Sequence, residues 1–177
     1  AIMEIGAVRF RTSLDYGSIQ AKVLDTWSTM VNPGRPISIQ IQQLTGIRQD
    51  EVDHAPRFSQ ILNDLRRFVG GYAIVGHNVQ FDLRFLRTHG LSLSNPALDT
   101  FELAGILVPH SDRYSLTRLG KDFGLSDRCH HRALDDALAA QDLFVALMGH
   151  AAELPRPILQ EIGRLAAKLD WSLKEIF

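Results

Sequence analysis

The chain has one cysteine, Cys129. No internal disulfide can therefore close any part of it, which fits a reducing, cytoplasmic setting. It also lacks a surplus of either charge: 19 basic residues stand against 20 acidic ones, for a formal net charge of −1. With no broad basic field to attract a polyanion, a nucleic-acid partner has to be held locally. No apolar run approaches transmembrane length and no signal peptide opens the sequence, so a membrane role is not expected. Gly70-Gly71 and Gly76 are not spaced as a phosphate-cradling loop, and they suit a helix stop and a strand end better. What remains is 177 residues, 45% hydrophobic and 22% charged, the proportions of a globular domain with a core of its own.

The order of elements points to an α/β fold. Ile2–Phe10 and Val23–Val31 are rich in β-branched and aromatic residues, and the turn-prone Ser13–Ser18 between them predicts an antiparallel hairpin. Asn32-Pro-Gly-Arg-Pro36 breaks that pattern, leaving Ile37–Ile47 as a short helix or irregular segment that closes at Gly46. Phe58, Ile61, Leu62, Leu65, Phe68 and Val69 recur at helical spacing, predicting a helix over Ser59–Val69. Tyr72–Gly76 reads as a short buried strand. A helix from Val79 to His89 follows, with Phe81, Phe85 and Leu86 turned inward and Asn78 as its cap. Ala97–Thr100 suggests another strand, Phe101–Leu107 a helix, and Leu116, Leu119 and Phe123 a further helix stopping at Gly124. Ala133–Met148 is the clearest helix, and Pro157–Leu169 is an amphipathic one. Strands followed by strands interleaved with helices indicate a mixed sheet flanked by helices.

Two segments carry chemistry. In His131-Arg-Ala-Leu-Asp-Asp136 a histidine precedes the Ala133 helix and a carboxylate sits one turn inside it. At about 100° per residue, Ala133, Ala137, Ala140, Phe144 and Leu147 share one face. Asp136 falls at the edge of that face, while Asp135 falls on the opposite, solvent side with Asp142. A carboxylate at the edge of a packed face is costly unless something cationic meets it, and this favours Asp136 with His131 over Asp135 with His130. The bland alternative is a pair of acids complementing a helix dipole. In Gly76-His-Asn-Val-Gln-Phe-Asp82 a second carboxylate lies in the first turn after a strand, where ligands of open α/β sheets usually bind. Cys129-His130-His131 lacks the second ligand pair that a zinc site needs. Arg84, Arg87, Arg113, Arg118 and Lys121 could line the path of a strand, although exposed helix faces usually carry such charges.

With these segments on the page, the chain from Ile2 to Leu147 resembles the DnaQ-like 3′–5′ exonuclease family, DEDDh class, with its RNase H-like fold. Ile2-Met-Glu-Ile-Gly-Ala-Val8 looks like that family's second strand. Val31-Asn-Pro33, Pro36-Ile37 and Leu44-Thr-Gly-Ile47 look like its substrate-side connection, and the two segments above look like its second and third motifs. The resemblance implies hydrolysis of nucleic-acid 3′ ends with two Mg²⁺ or Mn²⁺ ions, with Asp82 and Asp136 as metal ligands and His131 as general base. It implies that His77 and Asn78 shape the wall near the scissile nucleotide and that Thr45 and Ile47 border the terminal base. The implied partners are single-stranded DNA or frayed DNA 3′ ends, or RNA, and a polymerase or a fused helicase of the DinG type.

The family's first motif, an Asp-x-Glu on the first and central strand, has no match in the chain. The sequence begins at Ala1 rather than Met, already within the matched second strand, and so reads as a fragment. Residues 1–150 are expected to form an exonuclease domain without its first strand. Residues 151–177 are expected to form a C-terminal helix and linker, either leading to a further domain or packing back with Trp171 and Phe177 as core. With two of four carboxylates, the segment is expected to be inactive as written. The alternative is a non-catalytic nucleic-acid- or polymerase-binding module on a degenerate nuclease fold.

Overall fold

The computed structural model describes residues 1–126, 132–169 and 171–177. It opens with a long antiparallel hairpin, β1 (Glu4–Asp15) against β2 (Ser18–Met30). The strands run further than their apolar cores suggest, because the turn needs only Tyr16 and Gly17. Both have positive φ, 46° and 81°, as a two-residue type I′ turn requires. A bulge shifts the register between Arg9 and Phe10. Just past it, Phe10 packs edge-on against Phe144 at 6.4 Å.

Beyond the hairpin come α1 (Ile39–Thr45), α2 (Gln49–Asp53) and α3 (Phe58–Val69). Gly46, in the left-handed region at φ 71°, ends α1, as the sequence suggested. The short α2 carries too few apolar residues to show a helical period, but Glu51 reaches back to the Arg48 N–H at 2.8 Å and starts it. Next come β3 (Ile74–Gly76), α4 (Val79–Thr88) and β4 (Ala97–Asp99), with β3 and β4 parallel and α4 as the crossover. Then follow α5 (Thr100–Leu107), α6 (Leu116–Asp122), α7 (Ala133–Glu153) and α8 (Arg156–Ala166).

The expected mixed sheet is thus two separate pairs, one antiparallel and one parallel. Among the described residues no ladder joins β1 to β3. Residues 74–76 are half-buried rather than buried, which corrects the reading of that strand as fully covered. Helix α7 lies across both pairs. Its buried Leu143, Phe144 and Leu147 join Leu103, Leu107 and Leu119 in the main core, which Phe10, Val75 and Leu98 border. Leu173 is 1% exposed in that core, with Trp171 and Phe177 packed against it. These three residues therefore pack onto the main core. No helix among the described residues is long and apolar enough to cross a membrane.

Two side-chain placements differ from expectation. Phe81 is 66% exposed rather than inward, because Val79 takes the buried position of that helix start. Asp135 is half-buried rather than solvent-facing, since the first turn of α7 is pressed against β1.

Candidate active site

The parallel pair ends level, with Gly76 opposite Asp99. The chain leaves β3 through His77 and Asn78 and enters α4. Asn78 adopts the left-handed conformation, φ 58° and ψ 40°, and its side chain makes no capping hydrogen bond. That corrects its expected role. The capping acceptor comes from the neighbouring strand instead. Asp99, 6% exposed, accepts the Asn78 N–H on Oδ1 at 2.9 Å and the Val79 N–H on Oδ2 at 3.0 Å. Its Oδ1 also accepts the Phe101 N–H at 2.9 Å, which starts α5. One buried carboxylate thereby organises two helix N-termini, where orphan N–H groups favour negative charge.

His77 is engaged on both sides of its ring. Nε2 lies 2.7 Å from the Tyr114 carbonyl and Nδ1 lies 2.9 Å from the Thr100 hydroxyl. A carbonyl only accepts, so Nε2 carries the proton and Nδ1 accepts from Thr100. Burial pushes the His77 pKa below its ordinary value, outweighing the Tyr114 contact and the charge of Asp99, which raise it. His77 is therefore a neutral strut between β3, α5 and the segment before α6.

Asp82 lies in the first turn of α4. Its carboxylate has solvent on one side yet is crowded by protein on the others. That desolvation raises its pKa above the ordinary carboxylate value, and the charges of Asp99 and Asp136 add to the rise. Asp136, in the first turn of α7, is therefore near enough to Asp82 for the two charges to interact. Asp135 instead acts on Arg132. The structure thus brings Asp82, Asp136, Asp99, His77 and Asn78 to one end of the β3–β4 pair. His131, together with Cys129 and His130, lies outside the described residues.

Thr45 and Ile47 are spent on their own segment. The Thr45 hydroxyl donates to the Ile41 carbonyl at 2.8 Å and accepts the Ile47 N–H at 3.3 Å. Ile47 is 3% exposed and packs with Ile37 and Val52. An apolar side chain at a loop start gains by such burial.

Asp82 and Asp136 are hard oxygen donors, and their mutual repulsion is what a Mg²⁺ or Mn²⁺ ion relieves. They suit such an ion by chemistry but are too few by number. Among the described residues no group of three or more His, Cys, Asp or Glu side chains is placed to hold a metal. Asp99 is already committed to backbone N–H groups.

Sequence reading missed two residues that build this site. Asp99 has a signal: Asp-Thr between a strand and a helical run is an N-cap pattern. Glu4, whose carboxylate accepts from Arg132 and from the Ala133 N–H at the start of α7, has none, because Arg132 is 128 residues away.

Comparison with known proteins gives consistent results. Residues 1–144 match the model of the RNase_T family, described as exonuclease. DNA polymerase III subunit epsilon from Treponema pallidum is 36% identical over 160 residues, which are 86% of this chain and 70% of that protein. The PolC-type DNA polymerase III of Caldanaerobacter subterraneus is 32% identical over 179 residues, which are 99% of this chain but 12% of that much longer protein. Among solved structures, Exonuclease X in complex with 5′ overhanging duplex DNA superposes with a TM-score of 0.62 at 22% identity, covering 90% of this chain and 98% of that one. A 3′-exonuclease that recognises the histone mRNA stem-loop gives a TM-score of 0.63 at 18% identity, covering 86% and 84%. These likenesses establish the RNase H-like exonuclease fold.

Proposed function

Because the chain belongs to the RNase_T exonuclease family, we propose that it carries the Asp82–Asp136 half of a 3′–5′ exonuclease centre acting on DNA 3′ ends. The observation that carries this reading is the convergence of the two carboxylates at helix starts beside the ends of β3 and β4, close enough for Asp136 to raise the Asp82 pKa. The polymerase III relatives support a setting beside a replicative polymerase. Asp82 and Asp136 would hold divalent cations, Mg²⁺ or Mn²⁺, and His131 would take the proton from the attacking water. When bound, such ions activate that water and stabilise the leaving 3′ oxygen. Asp99 and His77 hold the end of β3 and the start of α4 rigid, which keeps Asp82 in place. Asn78, exposed beside them, would border the terminal nucleotide.

Two carboxylates are half of what the family's chemistry uses. The 177 residues by themselves are therefore proposed to bind divalent ions weakly and to trim DNA poorly, with an Asp-x-Glu strand between β1 and β3 completing the site. The test uses 5′-end-labelled single-stranded DNA with Mg²⁺ or Mn²⁺. The natural polypeptide that carries these residues should shorten the DNA from its 3′ end, and Asp82→Ala or Asp136→Ala should abolish this. Digestion from the 5′ end, or activity indifferent to Asp82→Ala, would refute the assignment. DNA binding without trimming would favour a non-catalytic module. Robust Asp136-dependent trimming by the 177 residues alone would overturn the claim that they are half a site.

A further inference from the structure

Helix α7 carries two adjacent aspartates, Asp135 and Asp136, in its first turn. Just before them the start of the helix is in contact with β1. Glu4, with a side chain 10% exposed, pairs with Arg132, whose side chain is 42% exposed. Arg132 donates from Nε to Glu4 Oε1 and Oε2 at 3.0 and 3.2 Å, and its Nη2 lies 2.9 Å from Oε1. The same carboxylate accepts the Ala133 N–H at 2.9 Å on Oε2. Glu4 therefore grips two consecutive residues at the start of the helix, one through its side chain and one through its backbone. Arg132 Nη2 also reaches the Met30 sulfur at 3.7 Å, so both hairpin strands contribute.

Buried Leu143, Phe144 and Leu147 hold the middle of α7, and the grip on two successive residues holds the rotation of its first turn. Gly6 fixes the remaining distance. A Cβ placed there would lie 2.2 Å from the Leu134 nitrogen and 2.3 Å from the Ala133 carbonyl carbon, so the helix backbone rests directly on the strand. We propose that Glu4 and Arg132 form a latch that sets the rotation of α7, turning Asp136 towards Asp82 and Asp135 away from it. Glu4 is then a positioning residue for the proposed centre, and this inference rests on the exonuclease reading for its functional consequence. The charges around the latch fit it. Glu51 from α2 and Asp135 from α7 both act on Arg132 together with Glu4, so the aspartate that is turned away finds a cation.

The test has two arms that fail separately. In the 177-residue chain, hydrogen exchange should show the amides of Ala133–Asp136 opening on the order of tenfold faster in Glu4→Ala, with the second half of α7 unchanged. In the natural polypeptide, Mn²⁺ affinity and kcat should fall on the order of 10–100-fold in Glu4→Ala with KM little changed. In the same background the loss caused by Asp136→Asn, large in the wild type, should shrink towards that of Asp135→Asn. If Glu4→Ala fails to fold, Arg132→Lys, which keeps the charge but loses the two-pronged grip, should give the same pattern more weakly. Unchanged first-turn exchange with undiminished discrimination between the two aspartates would overturn the latch. A wild-type polypeptide that neither trims DNA nor binds Mn²⁺ would overturn the exonuclease reading, leaving the exchange arm to judge the latch by itself.

Discussion

The two aspartates of the site are held by two other carboxylates, and the two anchors are built differently. Asp99 is buried, and its partners are backbone N–H groups of residues that touch it through the parallel pair. Glu4 meets one backbone N–H and a half-exposed arginine from the far end of the sequence. The first anchor is part of the sheet end, so Asp82 is fixed once β3 and β4 pair. The second joins the hairpin to α7 across 128 residues of sequence, so it holds the start of α7 only once those two elements are in contact. Both use the same physics, a carboxylate at a helix start. They differ in how much of the molecule must assemble first.

If that contrast holds, breaking the Asp99 anchor does the most damage. Asp99→Ala leaves three backbone N–H groups without their acceptor in a buried place, at a cost of about 3–5 kcal/mol. Urea unfolding should show it as a midpoint shift with little change in slope. Asp99→Asn should recover part of this, since its amide oxygen can still accept the Asn78 and Phe101 N–H groups while its NH₂ faces the Val79 N–H. A loss below about 1 kcal/mol for Asp99→Ala would mean that the helix starts are held by something else.

Next in size is Gly6→Ala. Its added methyl group meets α7 backbone at 2.2 Å, and a backbone cannot swing aside as a side chain can. The helix start must lift from β1 at about 1–3 kcal/mol. Amide exchange in the first turn of α7 should quicken, while α4 stays as protected as before. Equal loosening of both helices would erase the distinction between the anchors.

Which parts of this were legible beforehand follows from the same contrast. The hairpin, α3, α4 and α7 are written in apolar periodicity, and Asp82 and Asp136 stand out because each sits in a recognisable local segment. Phe81 was misjudged because helical phase alone ranks it with Phe85, whereas the packing of Val79 under Asp99 decides which face turns in. Asn78 was misjudged for a related reason: a cap-forming residue is visible in sequence, but a better acceptor on the next strand is not. Glu4 was invisible as an anchor because nothing near it in sequence names Arg132. The separation of the two strand pairs was foreseeable only from the resemblance, since no local pattern reveals which strand a neighbour lacks.

A smaller effect distinguishes the sheet-end anchor by pH. His77 has its pKa lowered on folding, so the unfolded chain binds its proton more readily. Stability is then intact above the ordinary histidine value of 6.5 and declines as pH falls from there towards the lowered value. Protonation would also place a second N–H against the Thr100 hydroxyl, which would have to turn away to its alternative acceptor, the Gly76 carbonyl. Thermal melts between pH 7 and 5 should show Tm falling by a few degrees more in the wild type than in His77→Gln. Parallel curves for the two proteins would remove His77 from the strut.

The smallest expected effect is a gain. Asp82 has its pKa raised on folding, so its ionised form is disfavoured in the native state. The penalty is absent below the unfolded carboxylate value, where both states are protonated. It grows as pH rises through the window up to the raised value and is complete above it. Asp82→Asn removes that charge and should raise Tm by roughly a degree or two at pH 7 and not at all at pH 3. The gain is small because the carboxylate is partly exposed and solvent screens it. Adding Mg²⁺ or Mn²⁺ should narrow the gap by stabilising the wild type alone, since a cation relieves the repulsion from Asp136 and Asp99. A Tm advantage for Asp82→Asn that persists at pH 3, or that ignores the cation, would show that the substitution acts through packing, and the site would lose its electrostatic signature.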